Sequence, residues 1–255
     1  MRIVIKVGTS TLAHATGRLN IRRTSELCRV LSDLKNAGHE VILVSSGAIG
    51  MGVGKLGLKE KPTDIPTKQA AAAVGQCELM YTYDRIFNEY NHVVAQILLT
   101  GSDFSAEDRH ENFNNTLSRL LALNVLPIIN ENDTIATEEI KVGDNDTLSA
   151  LVAVSANADM LVILSDVDGL YSADPHKNPD AILIKRVHGV PQDVLALAGG
   201  VGSALGTGGM KTKLRAAKIC TDKGCDMVIA NGENPEQLYD IVAEKDGNYT
   251  RFCSM

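Results

Sequence analysis

The sequence predicts an α/β protein, a three-layer α/β/α sandwich around a central, mostly parallel sheet. Three observations predict it. Short apolar runs recur along the chain, among them RIVIKV at Arg2–Val7, EVILVS at Glu40–Ser45 and MLVILS at Met160–Ser165. They are apolar at successive rather than alternate positions, as strands buried on both faces are. Between them lie stretches with apolar residues at helical spacing, and strands alternating with helices build a parallel sheet covered on both sides.

The elements follow in order. Arg2–Val7 reads as a buried strand that ends at Gly8-Thr9-Ser10-Thr11. Residues 21–37 put Leu27, Val30, Leu31 and Leu34 on one helical face and stop at Gly38. Glu40–Ser45 is a second strand. It runs into Ser46-Gly47-Ala48-Ile49-Gly50, a small-residue turn that opens a helix. Residues 67–91 read as a helix, 93–99 as a strand, 109–123 as a helix and 125–130 as a strand. Residues 136–142 are a candidate hairpin arm. A helix opening near Asp146 leads to strand Met160–Ser165; a helix over 212–223, a strand over 226–230 and a last helix over 235–243 complete the series. No repeat or long linker interrupts it, so a single domain is expected over 1–255. In such folds the loops after the C-terminal ends of the strands carry the site.

Composition narrows the function. The chain has 255 residues, 44% of them hydrophobic, so it can bury a sizeable aliphatic core without any Trp. A net charge of -6 argues against nucleic acid as a partner. Cys28, Cys77, Cys220, Cys225 and Cys253 form no CxxC pair and read as reduced thiols. The six His show no zinc spacing, and no protein-held metal site is expected. MRIVIKVG is too short an apolar stretch for a signal peptide, and no run approaches the length of a membrane span. A cytoplasmic protein with no membrane partner is the expectation.

The densest polar chemistry lies at NENDTIATEEIKVGDNDTLSA, residues 130–150. Glu131, Asp133, Glu138, Glu139, Asp144 and Asp146 gather around Gly143 and a helix start. One capping Asp or Asn would be ordinary. Two Asp and an Asn, with a second cluster just upstream, exceed what capping needs and point to a polar pocket for a cationic group. Asp146→Asn keeps shape and capping ability but removes the charge, so it is expected to fold normally and lose most activity; equal losses of stability and activity would favour a plain cap.

Four strand-end loops add to it. Lys6-Val7-Gly8-Thr9-Ser10 can turn an ammonium and backbone amides toward a phosphate. In Ser45-Ser46-Gly47-Ala48, small residues let backbone amides approach a ligand closely. Ser165-Asp166-Val167-Asp168-Gly169 ends a strand where it can touch a nucleotide, although Asp-Gly is also plain turn chemistry. Gly206-Thr207-Gly208-Gly209-Met210-Lys211-Thr212-Lys213 is a glycine-rich entry to a helix, the form of a phosphate cradle. It is neither a Walker A loop nor GxGxxG. Together the loops point to phosphoryl transfer. Donor phosphates and an anionic acceptor repel: two unit charges about 4 Å apart interact by roughly 4 kcal/mol at an effective dielectric near 20. Cations must hold them in line. Lys6 and Lys213 are the candidates, with Mg²⁺ on ATP, and Asp146 is placed to hold both lysines.

KVGTS (6–10), SSGAIG (45–50), NENDTIAT (130–137), IKVGDNDTLSA (140–150), SDVDGLYSADP (165–175) and GTGGMKTKLRAA (206–217) resemble the glutamate 5-kinases of the amino acid kinase family, in order and over nearly the whole chain. The resemblance implies the amino acid kinase fold and transfer of the γ-phosphate of ATP to the side-chain carboxylate of L-glutamate, the first step of proline biosynthesis. It implies glutamate binding by Ser46, Gly47, Asp133 and Asn145, supported by Asp144. It implies ATP binding by Lys6, Gly8, Ser165, Asp166 and the run Thr207, Gly208, Gly209, Met210, Lys211, Thr212 and Lys213. Lys6 and Lys213 would stabilise the transferring phosphoryl group, and Asp146 would organise them. The glutamate part would span roughly 1–150 and the ATP part roughly 151–255. L-proline as feedback inhibitor and a homo-oligomer come with the resemblance. Many bacterial members carry a further C-terminal PUA domain. This chain stops at Met255, so the kinase domain alone is expected.

Two other readings stay open at this point. One is another amino acid kinase, acting on N-acetylglutamate or aspartate. The other is a non-catalytic sensor of amino acid or nucleotide, against which Lys6, Asp146 and Lys213 speak. A nicotinamide dehydrogenase is disfavoured by the missing fingerprint.

Overall fold

The computed structural model describes residues 1–14, 18–60, 62–136, 145–175, 177–178, 180–197 and 209–254. Nearly all of the candidate hairpin arm at 136–142 lies outside them. The chain begins with β1 (Arg2–Val7), α1 (Thr9–Leu12), α2 (Ile21–Asn36), β2 (Glu40–Ser45), α3 (Ala48–Lys55) and α4 (Ile65–Asn88). It continues through β3 (Val94–Leu99), α5 (Gly101–Ser105), α6 (Glu107–Ala122), β4 (Leu126–Glu131), α7 (Asn145–Ser155) and β5 (Met160–Ser165). Then follow β6 (Arg186–His188), α8 (Gln192–Leu197), α9 (Met210–Thr221), β7 (Asp226–Asn231), α10 (Gln237–Val242) and β8 (Tyr249–Cys253).

Among the described residues the strands form one 8-stranded sheet in the order β3-β4-β2-β1-β5-β7-β8-β6. Neighbours pair in parallel from β3 through β7, and β8 turns back antiparallel to β7. Local chemistry fixes the helix ends. The Asn20 side chain accepts from the backbone N–H of Arg23 at 3.2 Å to start α2. Asp64 does the same from Thr67 at 2.9 Å for α4. Gly38, at φ +92°, takes the left-handed conformation that ends α2.

Side chains alternate across the sheet, so each strand feeds two cores. Ile3, Ile5, Leu43, Ile128 and Val162 pack against Leu27 and Leu31 of α2, Leu79, Tyr83 and Phe87 of α4, and Ile241 of α10. Val4, Ile42, Val44, Ile129, Leu161 and Ile163 pack against Phe113 and Leu117 of α6, Leu148 and Val152 of α7, and Leu214 and Ala217 of α9. These are the three layers. Lys6 shares the parity of Val4, and so it faces the α7–α9 layer.

The short strands β6 and β8 and the helix α8 were not legible from apolar runs. YTRFC carries an Arg and a Thr, yet all five residues of β8 are buried. Arg251 Nε donates to Asp226 Oδ2 at 2.8 Å, and its guanidinium also pairs with Glu244 at 3.0 Å. Asp226 accepts the Ser254 backbone N–H as well, at 2.8 Å. Among the described residues no helix is long and apolar enough to cross a membrane.

Candidate active site

Six parallel strands end on one side of the molecule, and their C-terminal ends carry the polar residues. Reading across neighbours, β4 ends in Asn130 and Glu131, β2 leads into Ser46, β1 carries Lys6 and β5 ends in Ser165. Helices α7 and α9 lie beside one another above this row and bring in Asn145, Asp146 and Lys213.

Asp146 is the centre of the charged end. It is 0% exposed, between Lys6 at 8% and Lys213 at 5%. Lys6 Nζ stands 2.7 Å from Asp146 Oδ1. Lys213 Nζ stands 3.2 Å from Oδ2, which also accepts from Thr212 Oγ1 at 3.0 Å. Burial pushes the Asp146 carboxyl up. The two ammonium charges, with the hydrogen bonds from Lys6 and Thr212, outweigh it and hold the group below the ordinary aspartate value. One carboxylate thus joins residues from β1, α7 and α9 that are far apart in sequence.

The second end is made of amides and hydroxyls. Asn145 Nδ2 lies 2.7 Å from Ser46 Oγ, 2.9 Å from Asn130 Oδ1 and 3.3 Å from the Ser45 carbonyl. Asn130 Nδ2 donates in turn to Gln76 Oε1 of α4 at 2.9 Å. The turn before α3 needs its glycine: Gly47 sits at φ +108°, where a side chain would be strained. Helices α3 and α4 touch backbone to backbone. A Cβ on Gly52 would stand 1.8 Å from the Ala71 carbonyl oxygen, and one on Gly75 1.7 Å from that of Ala48.

The structure brings together Lys6, Asp146, Thr212 and Lys213 at one end and Ser46 and Asn145 at the other. Gly8 lies under Lys6, whose Nζ would be 3.5 Å from a Cβ there. Ser165, buried at the end of β5, donates to the exposed Asp166 at 3.0 Å. Gly209 and Met210 start α9, and Lys211 on its first turn is exposed. Asp133 lies half-buried in the turn after β4. Asp144, Thr207 and Gly208 lie outside the described residues. Sequence reading gave Asn130 no role of its own and missed Gln76. Asn130 stood in the NENDT cluster that drew attention; Gln76 stands inside a helix with no local signal at all.

The family model described as "Amino acid kinase family" matches residues 1–231. The chain belongs to the amino acid kinase family. A glutamate 5-kinase of Clostridium acetobutylicum is 56% identical over 241 residues, 94% of this chain and 90% of the relative. One from Caldanaerobacter subterraneus is 54% identical over 256 residues, 100% of this chain and 68% of the relative. Among solved structures, a carbamate kinase from Giardia lamblia bound to AMP-PNP superposes with a TM-score of 0.69 at 18% identity, over 99% of this chain and 98% of that one. A UMP kinase from Ureaplasma parvum gives 0.68 at 17%, again over 99% and 98%. At such identities the two structures support the amino acid kinase fold, with its mostly parallel sheet, and nothing finer.

Proposed function

We propose that this chain is a glutamate 5-kinase: it transfers the γ-phosphoryl group of ATP to the side-chain carboxylate of L-glutamate, giving L-glutamyl 5-phosphate and ADP. The relatives named above support the reaction, and so does the site. The observation that carries the mechanism is the Lys6–Asp146–Lys213 triad. A carboxylate oxygen attacks the γ-phosphorus, and the bond from phosphorus to the bridging oxygen of ADP breaks. The acceptor is already ionised, so no base has to remove a proton. Asp146, held below the usual aspartate range by its two lysines, is suited to positioning rather than to proton transfer. Lys6 and Lys213 supply positive charge where the phosphoryl group passes between two anions, and their burial makes that charge count for more than it would in water.

In this reading Ser46, Gly47, Asp133 and Asn145 hold glutamate, with Asp144 in support. Gly8, Ser165, Asp166 and the residues Thr207 to Lys213 hold ATP. The acceptor part spans roughly 1–150 and the nucleotide part roughly 151–255 of one kinase domain. Magnesium would ride on the nucleotide phosphates; among the described residues no three His, Cys, Asp or Glu side chains stand together to hold it by themselves. Feedback by L-proline, a homo-oligomer and a cytoplasmic setting belong to the same proposal.

Incubation with ATP, Mg²⁺, hydroxylamine and a panel of acidic amino acids tests it. Glutamate should give the hydroxamate of its acyl phosphate. A hydroxamate with N-acetylglutamate or aspartate and none with glutamate would replace this reading by that of another amino acid kinase. Proline added to the same assay reads the feedback directly.

A further inference from the structure

We propose that Gln76 is a specificity-determining residue for the acceptor: its side-chain amide donates a hydrogen bond to the α-carboxylate of the bound amino acid. This rests on the glutamate 5-kinase reading above. Gln76 lies in the middle of α4 and is 8% exposed. Its Nε2 has no hydrogen-bond partner among the described residues. A buried donor left unmade is costly, and native structures rarely keep one without a use.

The backbone fixes which way each amide points. The Ser45 carbonyl can only accept, so the Asn145 atom beside it at 3.3 Å is Nδ2. The Glu131 backbone N–H can only donate, so the Asn130 atom it meets at 2.9 Å is Oδ1. Asn130 therefore turns Nδ2 toward Gln76, which must answer with Oε1. That leaves Nε2, a donor, as the free end of the chain. A flip of Gln76 would set two donors against each other. The backbone contact of Gly75 with Ala48 brings this stretch of α4 up against the turn that carries Ser46.

Position and chemistry name the ligand group. Lys6 and Lys213 mark where the side-chain carboxylate of the substrate must lie. Asn130, with Gln76 behind it, stands at the end of β4, two strands from β1, or about 10 Å at the usual strand spacing. The far end of an extended glutamate points that way. It carries an ammonium and a carboxylate. An N–H donor cannot serve the ammonium, whereas a carboxylate accepts from it strongly. The ammonium falls to the acidic residues after β4, of which Asp133 is half-buried.

The test uses Gln76→Met, which keeps the size and removes the donor, and Gln76→Glu, which keeps the shape and adds a repelling charge. Both are compared with wild type for glutamate, for ATP and for 4-aminobutyrate, which is glutamate without its α-carboxylate. The KM for glutamate should rise at least roughly 10-fold in Gln76→Met and further in Gln76→Glu, with kcat and the KM for ATP within about 2-fold. The preference for glutamate over 4-aminobutyrate should shrink by the same factor. Gln76→Glu carries the test if the Met variant does not fold. A KM for glutamate within about 2-fold of wild type in a folded variant overturns the proposal, as does an equal loss with both acceptors. If wild type itself does not phosphorylate glutamate, the function reading falls and takes this proposal with it. If wild type is active and the variants are unchanged, only this proposal falls.

Discussion

At the β1–α9 end of the cleft, one fully buried carboxylate stands between two buried ammonium groups. At the β4–α4 end, Ser46, Asn145, Asn130 and Gln76 are joined by hydrogen bonds between neutral groups. On the proposed function, the difference follows the chemistry each end would serve. Where charge passes from one anion to another, the protein needs fixed opposite charge, and it bears the desolvation that comes with it. Where a ligand is told from its relatives, directional donors and acceptors discriminate better, because a wrong ligand leaves them unpaired. The ends also differ in what supports them. The charged end is held by the ions themselves; the neutral end is held by two helices in backbone contact at Gly52 and Gly75.

The largest expected effect comes from removing the charge at the centre. Asp146→Asn leaves Lys6 and Lys213 buried without their shared carboxylate, and breaking a buried pair typically costs about 3–5 kcal/mol. Kept shape and capping ability led to the expectation that this variant folds normally with most activity lost; the burial of all three groups overrides the first half of that expectation. The sign with pH follows from the lowered pKa of Asp146. Its contribution is present above the ordinary aspartate value and is lost as pH falls through the lower value of the folded state. Thermal midpoints of wild type and variant should therefore differ most near neutrality and converge in acid. A constant gap at all pH values would mean that Asp146 acts as a neutral cap.

Next in size, Lys213→Ala and Lys6→Ala should each lower kcat by roughly 10²–10³-fold, about 2.7–4 kcal/mol, with a much smaller rise in the KM for glutamate. Steady-state kinetics on folded variants decide it. Near wild-type kcat in both would erase the distinction between the two ends. On the neutral side, Gly75→Ala places a Cβ 1.7 Å from the Ala48 carbonyl oxygen, a backbone atom that cannot swing away. The helices must part, at a cost of about 3 kcal/mol. Denaturant unfolding should show the loss, and an unchanged midpoint would mean that α3 and α4 do not touch as described.

The smallest expected effect sharpens recognition. N-acetylglutamate lacks the charged ammonium and glutarate lacks the nitrogen. Either should leave a carboxylate at the acceptor end unmatched and lower kcat/KM by at least roughly 10²-fold, about 2.7 kcal/mol. Asp133→Ala should narrow that gap and raise the KM for glutamate. Wild type using N-acetylglutamate as well as glutamate would contradict the assignment of this end to a free amino acid.

The sequence by itself determined the strands buried on both faces, because an apolar run at successive positions has no other economical fate in a chain of this composition. It also pointed to candidate residues of the site: Lys6, Ser46, Asp133, Asn145 and the glycine-led entry to α9 all stand in local patterns that packing alone does not require. Only the tertiary structure decided how they are used. Asp146 was expected to hold Lys6 and Lys213, but its full burial and the placing of one lysine against each of its two oxygens came from the packing of β1, α7 and α9. The strand β8 escaped notice because Arg251 interrupts its apolar run, and the Asp226 carboxylate that makes Arg251 acceptable in a buried strand comes from β7. Gln76 was invisible for a related reason. A glutamine inside a helix is ordinary until tertiary packing buries it, and here packing sets Gln76 against Asn130 at the end of β4. Local patterns follow from the chemistry of neighbouring residues in the chain; the pairing of charges and amides across 50 to 150 residues follows from packing, which no short stretch of sequence carries.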